Sequence, residues 1–194
     1  MKTILYVTFI LLTTLFTELR AQNANPDALL NGLKKEYYPS GKLCKEYTVE
    51  NGVPNGIVKS YNEAGFLISE QKFVNGIPDG VLRTFYESGK IQYENNFKDG
   101  IPQGISKEYY ENGTLKINSH LTGEPRAYSG FTNIYFENGT LKSESKFSEG
   151  KLMSSTTYDK EGRITSEQKD GQVISYWYEN NGKRHISING VPQD

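Results

Sequence analysis

An internal repeat is the feature that most constrains how this chain can fold. From residue 32 onward the same pattern returns about every 24 residues, first in three copies of equal length and then in two copies of 26 residues. A short period that returns throughout a chain is typical of an array in which each unit stacks on its neighbours. The copies are 32–55, 56–79, 80–103, 104–129 and 130–155, followed by the degenerate copies 156–172 and 173–194.

Each copy is built around a central glycine. An aromatic residue stands four positions before this glycine, an aliphatic residue stands two positions after it in most copies, and apolar residues stand eight positions away on both sides in most copies. All these offsets are even, and a period of two predicts that the residues share one face of a strand. The aromatic residues are Tyr37, Tyr61, Phe85, Tyr109, Tyr135, Tyr158 and Tyr178, and the residues eight positions after the glycine include Val49, Phe73, Phe97, Leu121 and Phe147.

Two kinds of turn separate the expected strands. At the central glycine we expect a three-residue hairpin loop, which would place Tyr37 opposite Leu43 and Phe85 opposite Ile91. The second turn has the pattern N-G-x-P-x-G, and we expect its proline at the first central position. Each copy is then two antiparallel strands. The sequence therefore predicts an all-β protein, an elongated and curved sheet of about 12–14 strands.

The N-terminal residues predict a targeting segment. Residues 4–16 carry no charge and follow Met1-Lys2, which is the pattern of a secretory signal peptide of residues 1–21. We expect a linker at 22–31 and the hairpin array at 32–194, regular over 32–155 and degenerate or capping over 156–194. The expected location is secreted, periplasmic or cell-envelope, and Cys44 would be a lone thiol there.

Composition argues against several classes of function. The formal net charge of -1 provides no field for a polyanion, so we expect no nucleic-acid partner. One cysteine and two distant histidines, His120 and His185, do not predict a metal site. Since no familiar catalytic motif occurs either, we expect no enzyme activity, no cofactor and no small-molecule substrate.

The repeat resembles a known family. The residues GVLRTFYESGKIQYENNFKDGIPQG, which begin at Gly80, carry the pattern most fully. They resemble the MORN-type repeat and, more narrowly, the variant in the bacterial family named after the YwqK antitoxin. The resemblance implies protein interaction, membrane-proximal scaffolding or neutralisation of a partner toxin. It implies no catalytic residue. A signal peptide would require that such a toxin also be exported.

Two sets of residues are candidate binding residues. The aromatic stripe at mid-array could grip a partner protein, or it could simply fill the apolar face of the sheet. The basic residues six positions before the glycine could hold an acidic partner, or they could be solvated charges, because glutamates interleave with them. Three functions stay open: a protein-binding module that is antitoxin-like or immunity-like, a cell-envelope or membrane-associated scaffold, and a glycan hydrolase. The candidate residues are Tyr61, Phe85, Tyr109 and Tyr135, together with Lys59, Arg83 and Lys107.

Overall fold

The computed structural model describes residues 30–123 and 127–193, and within them it is an all-β protein of 16 strands in one antiparallel sheet. The predicted signal peptide, residues 1–21, lies outside the described residues. The strands are β1 (Gly32–Tyr37), β2 (Leu43–Glu50), β3 (Val53–Pro54), β4 (Gly56–Tyr61), β5 (Leu67–Val74), β6 (Ile77–Phe85), β7 (Ile91–Lys98), β8 (Ile101–Tyr109), β9 (Leu115–Thr122), β10 (Ser129–Tyr135), β11 (Leu141–Ser148), β12 (Lys151–Tyr158), β13 (Ile164–Lys169), β14 (Gln172–Tyr178), β15 (Arg184–Ile188) and β16 (Val191–Gln193).

The strands follow one another across the sheet in chain order. The one departure is β3. Both β3 and β4 pair with β2, at different places along it, so β3 does not stand between β2 and β4. The sheet exceeds the expected 12–14 strands because β3 is separated from β4 by Asn55 and because the short strand β16 is added at the end. Otherwise the predicted meander of hairpins is confirmed.

The turn at the central glycine is the predicted three-residue loop. In the first copy the backbone N–H of Tyr38 donates to the carbonyl of Lys42 at 2.8 Å, which leaves residues 39–41 as the loop. Gly41 has a φ of 82°, a conformation that glycine adopts without steric cost. Tyr37 pairs with Leu43, as expected. The same pairing joins Phe85 with Ile91 in the third copy.

A β-bulge follows each of these aromatic–aliphatic pairs in the first six copies. In the first copy Glu36 pairs with Lys45, so Cys44 is an extra residue without a partner in the ladder. Beyond the bulge Leu33 pairs with Thr48, and Val49 pairs with Gly32. The prediction that the residues eight positions after the glycine share a face with the aromatic residues is therefore wrong, because one inserted residue reverses the alternation.

The two faces of the sheet can now be defined. The ladder face carries the aromatic residue of each copy and the residues two and four positions before it, which in the first copy are Tyr37, Lys35 and Leu33. The reverse face carries the residues eight positions after the glycine. These are Val49, Phe73, Phe97, Leu121 and Phe147.

The second turn differs from the expectation. In the first copy its central residues are Asn51 and Gly52, with φ values of 52° and 81°, and Glu50 pairs directly with Val53. Two positive φ values in a two-residue loop define a type I′ turn, which favours Asn-Gly. The prediction of proline inside the turn is therefore wrong, since Pro54 lies in the strand that follows.

Successive second turns are joined by backbone hydrogen bonds. The N–H of Gly52 donates to the carbonyl of Leu30 at 2.7 Å, that of Gly76 to Pro54 at 2.8 Å, and that of Gly100 to Pro78 at 2.9 Å. The turns therefore form a column that runs across the sheet at one end of its strands.

The sheet is a single layer and has almost no buried core. Among the described residues Val49 is the one apolar residue classed as buried, with 6% of its surface exposed. An apolar side chain of a sheet is fully buried only where another layer covers the face that carries it. Here most apolar side chains stay partly exposed.

Candidate functional site

A row of alternating charges crosses the ladder face. The residue six positions before each central glycine lies directly opposite the residue five positions after it, both within a copy and between neighbouring copies. Residues directly opposite on antiparallel strands share a face and interact. We call this row the charge ladder. Its members, in order across the sheet, are Lys35, Glu46, Lys59, Glu70, Arg83, Glu94 and Lys107.

Arg83 is the most fully paired member of the charge ladder. Its Nε donates to Glu94 Oε1 at 2.7 Å and its Nη1 donates to Glu70 Oε1 at 3.0 Å. These two hydrogen bonds raise the pKa of Arg83, and the bond from Arg83 lowers the pKa of Glu94. Lys35 likewise bonds Glu46 at 3.1 Å. The predicted basic residues Lys59 and Arg83 thus stand between two glutamates, and Lys107 stands between Glu94 and Asn118. This arrangement favours the solvated-charge alternative over a purely basic surface.

The predicted aromatic stripe also lies on the ladder face. Tyr61, Phe85, Tyr109 and Tyr135 are half-buried, and each pairs with the aliphatic residue two positions after its central glycine. The hydroxyl of Tyr109 donates to Glu94 Oε2 at 3.1 Å. Burial first, and this hydrogen bond second, raise the pKa of Tyr109. These side chains pack across neighbouring strands, and their role in binding a partner stays a prediction.

Three tyrosines that the sequence reasoning missed join neighbouring copies. They stand three positions before the central glycine, and each hydroxyl donates to the backbone carbonyl of the aromatic residue in the next copy. The hydrogen bonds are Tyr38 to Tyr61 at 2.7 Å, Tyr86 to Tyr109 at 2.7 Å and Tyr110 to Tyr135 at 2.8 Å. An aromatic residue at this position in four copies was the available signal, and the fourth, Phe136, has no hydroxyl.

Exposed aliphatic side chains run beside the charge ladder. Two positions before each basic residue of the charge ladder, the ladder face carries an apolar residue. Three of these are Leu33, Ile57 and Ile105, which are 61%, 53% and 46% exposed. Val81 and Phe131 occupy the equivalent positions and are half-buried. We call the four aliphatic residues Leu33, Ile57, Val81 and Ile105 the aliphatic row. Exposed apolar surface next to a polar rim is typical of a binding surface.

The charge ladder ends at Lys107. The next positions across the sheet are Asn118 and Asn133, which pair with each other. Asn118 Oδ1 is buried without a hydrogen-bond partner, and so is Nδ1 of His120, whose ring stacks on Phe131 with centroids 6.1 Å apart. Buried polar atoms without partners destabilise a fold locally. The middle of the array is therefore its least satisfied part.

Beyond this break the equivalent row holds glutamates without arginine or lysine between them. Glu144 accepts a hydrogen bond from the Tyr158 hydroxyl at 2.6 Å, which raises the pKa of Tyr158 to about 12. Glu167 accepts one from Tyr176 at 2.5 Å. In the part of the chain that the structure describes, no ion pair joins either glutamate to a cation.

The described residues include no cluster of His, Cys, Asp and Glu that could hold a metal ion. Cys44 is a free, half-buried thiol. Within 30–123 and 127–193 no helix has the length and apolar character needed to cross a membrane.

Comparisons with known proteins bear on the repeat alone. No curated protein matches this chain. One solved structure, "Crystal Structure of TcdB2-TccC3-TEV", matches over 79% of this chain and 11% of that chain, at 12% identity and a TM-score of 0.24. This chain thus spans only a small part of that one, and the likeness is too weak to support any conclusion about fold or function. A family model described as "MORN repeat variant" matches residues 30–51, 78–99 and 102–120, so this chain contains MORN-type variant repeats.

Proposed function

We propose that this chain is a non-catalytic, exported repeat protein that binds another protein through the ladder face of its sheet. The observation that carries the proposal is the aliphatic row, in which Leu33, Ile57 and Ile105 are each more than 40% exposed in a single-layer sheet. Burying such a row against a partner stabilises a complex by roughly 25 cal/mol per Å² of apolar area removed from water. The adjacent charge ladder supplies polar contacts of both signs.

The resemblance to the YwqK-like family supports a narrower form of this proposal. In that form the partner is an exported toxin, and the chain is antitoxin-like or immunity-like. Export itself is proposed from the pattern of residues 1–21, with its short basic start and uncharged run.

A second candidate is a membrane-associated or cell-envelope scaffold. One observation favours it: exposed aliphatic residues stand next to the second turns, all at the same end of the strands. We call them the turn column. Its members are Leu30, Val53, Ile77 and Ile101, with 49%, 39%, 49% and 63% of their surfaces exposed. Apolar side chains at loop tips can enter the boundary of a lipid layer.

The test compares three forms of the full chain as bait in an extract of its source cells. These forms are the wild type, Ile57→Lys on the ladder face, and Ile68→Lys. Ile68 is the matched control because it is 39% exposed and lies at the bulge position of the second copy, outside the aliphatic row. We expect one near-stoichiometric protein with the wild type and with Ile68→Lys, and at least about ten-fold less of it with Ile57→Lys.

Identical sets of proteins from all three baits would refute the proposal. Recovery of the chain with the membrane fraction, without a stoichiometric protein, would favour the scaffold instead.

A further inference from the structure

The two edges of the sheet differ in what they leave unpaired. Within residues 30–123 and 127–193, β1 forms one edge and pairs with β2 alone, while β16 forms the other edge and pairs with β15 alone. An edge strand presents backbone N–H and C=O groups to which another strand can bind. Whether it can do so depends on its length, on which groups point outward and on proline.

The edge at β16 has no outward donor. Asn189-Gly190 is the two-residue loop of the last hairpin, so Ile188 and Val191 form the hydrogen-bonded pair that closes it. Hydrogen-bonded and non-hydrogen-bonded pairs alternate along antiparallel strands, so the backbone groups of Pro192 point away from β15. Because proline has no N–H, this three-residue strand is a blocked edge.

The edge at β1 is open. The N–H of Tyr38 donates to the carbonyl of Lys42, so the backbone groups of Tyr38 point toward the second strand of the hairpin. The bulge lies on β2, so β1 keeps a regular alternation, and the N–H and C=O groups of Leu33, Lys35 and Tyr37 point outward. This six-residue strand contains no proline, and Leu33 and Tyr37 are 61% and 59% exposed. β1 can therefore accept a further strand.

A second copy of β1 matches this edge. With two β1 strands antiparallel and Lys35 opposite Lys35 of the second copy, Leu33 faces Tyr37 and Lys34 faces Glu36. Every outward N–H and C=O of Leu33, Lys35 and Tyr37 then has a backbone partner in the other copy. Aromatic–aliphatic pairs and opposite-charge pairs directly across neighbouring strands stabilise a sheet. Because the arrangement is two-fold symmetric, each of these side-chain pairs occurs twice.

The central lysine pair is the unfavourable contact in this register. Like charges directly opposite each other destabilise strand pairing. Each Lys35 keeps its own Glu46 at 3.1 Å on its other side, and its side chain is 42% exposed, so the carboxylate and water both reduce the repulsion. The two neighbouring symmetric registers place Lys34 opposite Lys34 or Glu36 opposite Glu36, and they pair fewer residues of the two strands.

We propose that two copies of this chain associate through their β1 edges into a two-fold dimer with one continuous antiparallel sheet. The matching pairs within β1 itself identify the occupant as a second copy. The blocked edge at β16 ends the assembly at two copies, whereas pairing of unlike edges would produce a filament. This inference goes beyond the proposed function, because it concerns the edge of the sheet and not a partner on its ladder face.

Sedimentation equilibrium of the full chain tests the dimer. We expect a monomer–dimer equilibrium with a Kd on the order of 10–100 μM, because one pair of strands forms the contact. Leu33→Lys should raise this Kd at least about ten-fold, since an ammonium group then faces Tyr37 at two places. Val191→Lys is the matched control, because Val191 is also 61% exposed but lies on the blocked edge, and it should leave the Kd unchanged.

Charge variants test the register. Glu36→Lys places like charges opposite each other twice and should weaken the dimer several-fold. Adding Lys34→Glu restores opposite charges in the proposed register and should recover most of the affinity. Lys35→Thr removes the central repulsion and should tighten the dimer several-fold, which a merely structural role of Lys35 would not do. Far-UV circular dichroism checks that each variant is folded.

Three results would overturn the dimer. These are a monomeric wild type at concentrations up to several times about 100 μM, equal dissociation constants for Leu33→Lys and Val191→Lys, and no recovery when Lys34→Glu is added to Glu36→Lys. A monomeric chain that captures another protein from an extract, and loses it in Leu33→Lys, would assign the β1 edge to that protein instead.

The outcome is distinguishable from that of the proposed function. Ile57 lies on β4, so Ile57→Lys should remain dimeric. If the wild type is monomeric while Ile57→Lys loses its partner protein, only the dimer is refuted. If the dimer forms while Ile57→Lys recovers the same proteins as the wild type, only the proposed function is refuted.

Discussion

The part of the sheet that ends with β9 and the part that begins with β10 share one backbone plan but differ in their side chains. The first region, residues 32–122, carries the whole charge ladder and pairs its glutamates with lysine or arginine. The second region, residues 129–193, keeps Glu144 and Glu167 but has Asn133 and Thr156 where the cations would be. Since both regions form the same hairpins, the charge ladder does not determine the fold. It determines the surface.

The backbone is what the two regions have in common. Each central turn closes with the same pair of hydrogen bonds, for example at Gly41 in the first region and at Gly139 in the second. A type I′ turn also recurs in both, as at Asn51-Gly52 and at Glu149-Gly150. Turn chemistry and strand pairing therefore specify the array, as expected for repeats that contact only their neighbours. The regions meet at β9 and β10, where the repeat has 26 residues instead of 24.

The largest expected effect comes from breaking the junction between the two regions. Gly130 has a φ of 142°, and a Cβ added there would overlap the carbonyl oxygen of His120 on the neighbouring strand. Gly130→Ala should therefore lower the free energy of unfolding by at least about 3 kcal/mol. Urea unfolding followed by far-UV circular dichroism measures it. Gly113→Ala is the control, because its φ is 91° but no atom lies within 4 Å of the added Cβ. A loss at Gly130 no greater than the loss at Gly113 would contradict the clash.

A smaller effect is expected from removing the central cation of the charge ladder. Arg83→Met leaves Glu70 and Glu94 facing each other across β6, so the free energy of unfolding should fall by about 1–2 kcal/mol at neutral pH. Lys59→Met, at the equivalent position of the second copy but without an ion pair within 4.0 Å, should cost less. Equal losses in the two variants would show that the Arg83 bridges add nothing specific.

The pH dependence of Arg83→Met provides a second measurement of the same contact. The pKa of Glu94 is lowered in the folded state, so its contribution to stability is present above the ordinary carboxylate pKa and is lost as the pH falls through the folded pKa. The wild type should therefore lose more stability on acidification than Arg83→Met does. Parallel losses in urea titrations at neutral and acidic pH would argue against this contribution.

The smallest effect concerns the tyrosine that joins successive copies. Tyr86→Phe removes the 2.7 Å hydrogen bond to the carbonyl of Tyr109 and should lower the free energy of unfolding by about 1 kcal/mol. Phe136 is the equivalent residue in the second region, and Phe136→Tyr should recover part of such a contact with the next copy. Thermal unfolding of both variants measures the difference. If Tyr86→Phe is as stable as the wild type, these hydroxyls do not strengthen the contact between copies.

Much of the local structure could be predicted from the sequence because it depends on residues close in the chain. The three-residue loop follows from glycine at a position of positive φ, and the pairing of Tyr37 with Leu43 follows from the length of that loop. Tyr61, Phe85 and Tyr109 share a face because they occupy the same position in successive copies of the repeat. Their burial could not be predicted, because it depends on what covers the sheet.

The bulge could not be predicted, because nothing in the residue type marks it. The extra residue is Cys44 in the first copy, Ile68 in the second and Gln92 in the third. A bulge is a property of strand pairing, and it reversed the expected face of Val49 and its equivalents. The position of the prolines was misjudged for a related reason, since Asn-Gly competes for the same turn and favours it more strongly.

The sequence by itself determined that this chain is an array of β-hairpins, where its central turns lie, and which aromatic residues share a face. These features depend on spacing and on turn residues, which act within a few positions of the chain. The tertiary structure decided which charges lie opposite each other, that Arg83 bridges two carboxylates, and that Thr156 stands between Glu144 and Glu167 at the equivalent place. Such contacts arise between strands of different copies, so they depend on a register that only the assembled sheet defines.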